Sequence, residues 1–127
     1  MPLIAKIVNQ LIKADYVVEK GYAPSSGGRR PQVYALKPDK LFIVTVAMDQ
    51  LFTKIAISNL HQKEILPSET YELALYGNDH SLELLVKLIK DIIHKAGIDH
   101  TDIMGVGIGM PGFVNTTEGI NYTYLPV

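Results

Sequence analysis

The sequence predicts an α/β protein in two pieces: a helix with a glycine-rich hairpin over residues 1–39, and part of a layered sheet over residues 40–127. Three observations carry that prediction. A helical repeat of apolar residues opens the chain and runs into a turn-rich segment, GYAPSSGGRRP, flanked by short β-branched runs. Beyond Pro38 and Asp39 the composition shifts to long apolar runs in the order strand, strand, strand, helix, strand. Charge divides at the same place: residues 1–40 hold seven Lys and Arg against three Asp and Glu, and the remainder holds five against ten, in a chain of formal net charge −1.

Residues 2–14 (PLIAKIVNQLIKA) begin with Pro2, whose fixed φ suits a first helical turn, and place Ile4, Ile7, Val8, Leu11 and Ile12 on one stripe. The other face shows Lys6, Asn9, Gln10 and Lys13, all able to donate hydrogen bonds to phosphates or base edges. An ordinary solvated face looks the same, so the neighbours decide. Tyr16, Val17 and Val18 form one short strand signal and Gln32–Leu36 another, around the turn residues 21–31. A helix followed by such a hairpin is the second half of a winged helix. Gly27 and Gly28 would let the backbone approach a duplex, and Arg29 and Arg30 supply forked donors suited to phosphates or a minor groove. The candidate DNA contacts are therefore Lys6, Asn9, Gln10, Lys13, Gly28, Arg29 and Arg30.

Leu41–Met48 (LFIVTVAM) is almost wholly apolar and reads as a central strand buried on both faces. Thr53–Leu60 alternates and suits its hairpin partner, and Glu64–Ser68 reads as a third strand. Ser81–Ala96 is an amphipathic helix with Leu82, Leu85, Val86, Ile89, Ile92 and Ile93 on its stripe and Gly97 as its stop. Ile103–Gly109 is a further strand, thinned by glycines. The order β-β-β-α-β is that of an actin-like, ribonuclease-H-like half domain. His61, His80, His94 and His100 show no metal-ligand spacing and read as surface residues; with no cysteine, no metal site and no cofactor is expected. No apolar run approaches the roughly 18 residues of a membrane span and no signal-peptide pattern is present, so a soluble, cytoplasmic chain without a membrane partner is expected.

On these residues the chain resembles the ROK group of repressors, open reading frames and sugar kinases, in its repressor branch. The resemblance covers essentially the whole chain. It rests on the helix PLIAKIVNQLIKADYV, the loop SSGGRRP with its following strand and proline, the strand-turn-strand VAMDQLFTKIAI, and GVGIGMPGFVNTTEG. It implies a sugar-responsive DNA-binding repressor whose partners are operator DNA, a sugar or sugar phosphate, and further copies of itself in a homo-oligomer. The alternative within the family is an ATP-dependent sugar kinase.

The family's kinases carry Asp-x-Gly-Gly-Thr after the first strand, a turn whose glycines let backbone amides reach the ATP phosphates. Here that segment is Asp49-Gln50-Leu51-Phe52-Thr53, with Leu51 and Phe52 at the glycine positions, so ATP is not expected to bind and no catalytic residue is assigned. Within GMPGFVNTTEGINY (109–122) the resemblance places Gly112, Val114, Asn115 and Glu118 near the sugar, Gly112 because a residue without a side chain allows close approach of a pyranose. The turns of a plain hairpin are the competing reading of those residues. The first helices of a complete winged helix would precede Met1, and the family's catalytic aspartate and zinc cluster would follow Val127, so the chain is expected to be an N-terminal fragment.

Overall fold

The computed structural model describes residues 3–24 and 27–124. Pro2, read above as a first-turn residue, and Ser25 and Ser26 of the glycine-rich loop lie outside the described residues. The chain runs α1 (Leu3–Lys13), β1 (Val17–Tyr22), β2 (Gln32–Leu36), a 3-10 turn (Pro38–Lys40), β3 (Phe42–Met48), β4 (Phe52–Asn59) and β5 (Glu69–Glu72). Then follow α2 (Ser81–Lys95), a second 3-10 turn (His100–Asp102), β6 (Ile103–Gly109), β7 (Val114–Asn115) and β8 (Ile120–Asn121).

Strands β1 and β2 form their own antiparallel ribbon from Val17↔Leu36 to Tyr22↔Gln32, with Lys20 bulged out between Glu19 and Gly21. Helix α1 ends against this ribbon through Asp15, which turns the chain at φ 64, and Tyr16, whose amide donates to the Leu11 carbonyl at 2.9 Å. Ala5, Val8 and Ile12 are half-buried, whereas Ile4, Ile7 and Leu11 of the expected stripe stay exposed.

The main sheet has the order β5-β4-β3-β6, antiparallel except for the parallel pair β3 and β6. Its core is a single layer between the sheet and α2: Phe42, Val44, Val46 and Met48 of β3, Ile55 and Ile57 of β4, Leu73, Leu75, and Leu85 and Ile92 of α2. The expectation that β3 is buried on both faces is corrected here, because Thr45 and Ala47 are exposed on the face opposite α2. The uniform hydrophobicity of LFIVTVAM hides an ordinary period-2 pattern. In α2 the packed stripe is Leu85, Leu88, Ile89, Ile92 and Ile93, and the expected members Leu82 and Val86 are 43% and 41% exposed. Both choices satisfy helical spacing in a helix this rich in leucine and isoleucine; contact with β4 selects between them.

The third strand also lies later than expected, at Glu69–Glu72 instead of Glu64–Ser68. After β4 the chain makes a tight turn with Gln62 at φ 61, and Glu64 manages one isolated bridge to Ser58. Pro67, which has no N–H to give a ladder, then delays regular pairing by two residues. Helix α2 ends in a Schellman motif: Gly97 at φ 67 donates to the His94 carbonyl and Ile98 to the Ile93 carbonyl. The same helix end is tied to β5 by an ion pair between Lys95 and Glu69, and Glu69 also accepts from Tyr71 Oη at 2.8 Å.

Candidate functional site

Two groups of candidate residues lie on different parts of the fold. In the first, Lys6, Asn9, Gln10 and Lys13 follow the i, i+3, i+4, i+7 rule along α1, so they share one face, and all four are exposed. Arg29 and Arg30 are exposed at the far end of the β1–β2 ribbon, beside Gly27 at φ 140 and Gly28 at φ 96, a conformation only glycine adopts without strain. The loop closes through the Ala23 amide, which donates to the Pro31 carbonyl at 3.0 Å.

The second group gathers at one end of the main sheet. Because β3 and β6 run parallel, their C-terminal ends bring the turn after Met48 and the segment after Gly109 to the same edge. That is where open sheets with parallel strands hold ligands. In the first turn, Asp49 Oδ1 accepts the backbone amides of Leu51 at 2.7 Å and Phe52 at 2.6 Å, and the Asp49 amide donates to the Phe52 carbonyl at 2.9 Å. These bonds, Phe52's foremost, hold the Asp49 carboxyl below its usual range. Leu51 and Phe52 project outward, 58% and 46% exposed. The two backbone amides of this turn therefore face the Asp49 carboxylate. Thr53, the last member of the segment, is buried, and among the described residues its hydroxyl has no partner.

In the second segment β7 and β8 form the expected hairpin. Asn115 and Glu118 come together: Asn115 Nδ2 donates to Glu118 Oε2 at 2.9 Å, and Tyr122 Oη donates to the same oxygen at 2.7 Å. Asn115 Oδ1 meanwhile accepts the amides of Thr117 and Glu118. Val114 is exposed, flanked by Phe113 at 82% and Tyr122 at 62% exposure. Gly112 has a steric reason of its own for being glycine. A side chain there would run into the amide of Asn121, which donates to the Pro111 carbonyl at 2.9 Å and accepts from Thr123 and Tyr124. The exposed aromatics Phe113 and Tyr122 were not among the candidates read from the sequence.

Among the described residues no group of three His, Cys, Asp or Glu side chains is placed to hold a metal ion, and no helix is long and apolar enough to cross a membrane. All four histidines are exposed as expected, but His61 is not idle: its Nε2 lies 2.8 Å from the Leu36 carbonyl.

No family model matches the chain. It is 35% identical over 118 residues to the xylose repressor of Caldicellulosiruptor bescii, covering 91% of this chain and 29% of that protein. It is 23% identical over 120 residues to the xylose repressor of Bacillus spizizenii, covering 94% of this chain and 31% of that one. Its fold matches the crystal structure of a ROK family transcriptional regulator, a homologue of the E. coli MLC protein, with a TM-score of 0.68 over 98% of this chain and 32% of that chain at 19% identity. The chain is thus similar in sequence to xylose repressors and shares the fold of a ROK family regulator. It spans a little under a third of the length of these relatives. They are named as repressors and regulators, not as enzymes.

Proposed function

We propose that this protein is a sugar-responsive, DNA-binding transcriptional repressor. In this reading residues 1–39 are the recognition helix and wing of a winged helix-turn-helix, and residues 40–127 begin an actin-like, kinase-type effector domain that has no catalytic role. The observation that carries it is the turn at Asp49. A kinase must leave the amides of this turn open to triphosphate, and here the Asp49 carboxylate takes both at 2.7 and 2.6 Å. What remains at that end of the sheet is a polar hairpin with exposed aromatics, a surface that suits a neutral sugar.

Lys6, Asn9, Gln10 and Lys13 would enter a major groove from α1, while Gly28, Arg29 and Arg30 would meet the backbone or minor groove from the wing. Val114, Asn115 and Glu118 would line the sugar site, with Gly112 shaping the turn that carries them. Operator DNA, a sugar or sugar phosphate, and a second copy of the protein are the partners, the last because paired heads read paired half-sites. The names of the relatives make D-xylose the first sugar to try.

The test is fluorescence anisotropy of labelled operator DNA with the intact protein and a panel of pentoses, hexoses and their phosphates. One sugar should change DNA affinity by about 5–150-fold, the range of a coupling of about 1–3 kcal/mol. Sugar-dependent hydrolysis of ATP, or DNA affinity indifferent to every sugar, would replace this reading.

A further inference from the structure

The proposed DNA-contacting head and the proposed sugar site lie at opposite ends of the main sheet. The linker enters at Phe42, where β3 begins and β4 ends at Asn59, whereas the candidate sugar hairpin follows the other ends, Met48 and Gly109. About six residue steps of strand separate them, on the order of 20 Å. A repressor whose sensor and reader are that far apart needs a stiff join at the reader's end.

The structure holds such a join in the turn that follows β4. Three consecutive residues of this turn grip the linker in a staggered ladder. His61 Nε2 donates to the Leu36 carbonyl at 2.8 Å, the Leu60 amide to the Pro38 carbonyl at 3.1 Å, and Asn59 Nδ2 to Asp39 Oδ1 at 3.1 Å. In every case the turn donates and the linker accepts. At Pro38 that polarity follows from the sequence, since Pro38 has no N–H and can be held only through its carbonyl oxygen. For His61 it also fixes the tautomer, since Nε2 must carry the proton.

The gripping turn is itself rigid. Asn59 is 5% exposed, and its Oδ1 accepts the amides of His61 at 3.0 Å and Lys63 at 3.1 Å while its own amide donates to the Lys63 carbonyl. The other side of the linker is fastened to the head. Lys37 donates its amide to the Tyr16 carbonyl at 2.8 Å and its ammonium to Asp15 at 2.5 Å, and Lys40 lies 5.5 Å from the centre of the Tyr16 ring. Leu36 to Lys40 is therefore clasped on both sides, by the end of α1 and by the end of β4.

We propose that Asn59 and His61 are positioning residues of a clasp that makes the helix-and-ribbon head move with the main sheet, so that an effector's signal reaches the head along β3 and β4. The coupling rests on the repressor reading given above; the clasp itself does not. Neither residue is among the proposed DNA or sugar contacts.

The test uses the intact protein in three forms: wild type, His61→Ala and Asn59→Asp. His61 is exposed, so its removal leaves the core untouched. Asn59→Asp keeps the oxygen that orders the turn and sets a second carboxylate against Asp39. Hydrogen exchange read by mass spectrometry should show the amides of Lys37 and Leu60 exchanging at least about tenfold faster in both variants, with exchange in α2 unchanged. In the anisotropy assay the ratio of DNA affinities with and without sugar should fall toward one, while sugar-free DNA affinity and sugar affinity each stay within about threefold of wild type. His61→Gln, which restores a donor toward Leu36, should recover much of both effects. Unaltered exchange at Lys37 and Leu60 would overturn the clasp, and loosened exchange with an intact affinity ratio would overturn its role in coupling. A wild-type protein that answers to no sugar refutes the repressor reading instead, and the exchange rates then decide the clasp by themselves.

Discussion

The side-chain amide of Asn121 fills the space that a side chain on Gly112 would need. Gly112 also sits at φ 136, where side chains are strained. Gly112→Ala should therefore lower stability by about 1–3 kcal/mol, read as the urea midpoint. In a double-mutant cycle the cost should shrink when Asn121→Ala is already present, because the clash is gone and the backbone strain alone remains. Equal costs in the two backgrounds would show that the glycine is there for something other than Asn121. For sugar binding, Asn115→Asp is the cleaner probe, since it leaves the turn's acceptor oxygen in place.

The turn at Asp49 predicts that calorimetry with magnesium and ATP registers no binding to the intact protein. It also predicts a pH signature. Bonds from the amides of Phe52 and Leu51 depress the Asp49 carboxyl below its ordinary value of 3.8. The folded state therefore binds this proton more weakly than the unfolded chain does. The resulting stability is fully present above the ordinary value and is lost as pH falls through the lower, folded one. The gap in urea midpoint between wild type and Asp49→Ala should be constant from pH 5 to 7 and narrow below 3.8.

Arg29→Ala with Arg30→Ala should weaken binding to operator and unrelated DNA alike. If each arginine neutralises one phosphate, the slope of log affinity against log salt should become shallower by about 1.8. Loss confined to the operator would mean the wing reads bases.

The packed stripe of α2 separates two substitutions that look alike in sequence. Ile92→Ala, at a position 1% exposed, should cost about 2–5 kcal/mol, and Leu82→Ala, 43% exposed, well under that. Thermal or urea unfolding distinguishes them directly.

Sequence reasoning located both helices, the ribbon, the pair β3 and β4, and β6, since each has a distinct period or a clear stop such as Gly97. It failed where the sequence allows two answers to one period. Leu82 and Leu88 both fit a helical stripe, and only the position of β4 decides between them. It failed again where the deciding term is a bond made far along the chain. The reason for Gly112 is Asn121, nine residues later. The clasp was invisible for the same cause: a surface histidine reads as inert until its ring is seen against the Leu36 carbonyl.

The salt bridge between Asp15 and Lys37 joins residues on either side of the whole ribbon, next to the Val17↔Leu36 pair that closes it. Where α1 ends and where the linker begins are thus set relative to each other without reference to the loop between Tyr22 and Gln32. A change in the length or composition of that loop would therefore leave the join between helix and sheet in place. In the proposed repressor, the tip's hold on DNA is thereby separable from the mounting of the head.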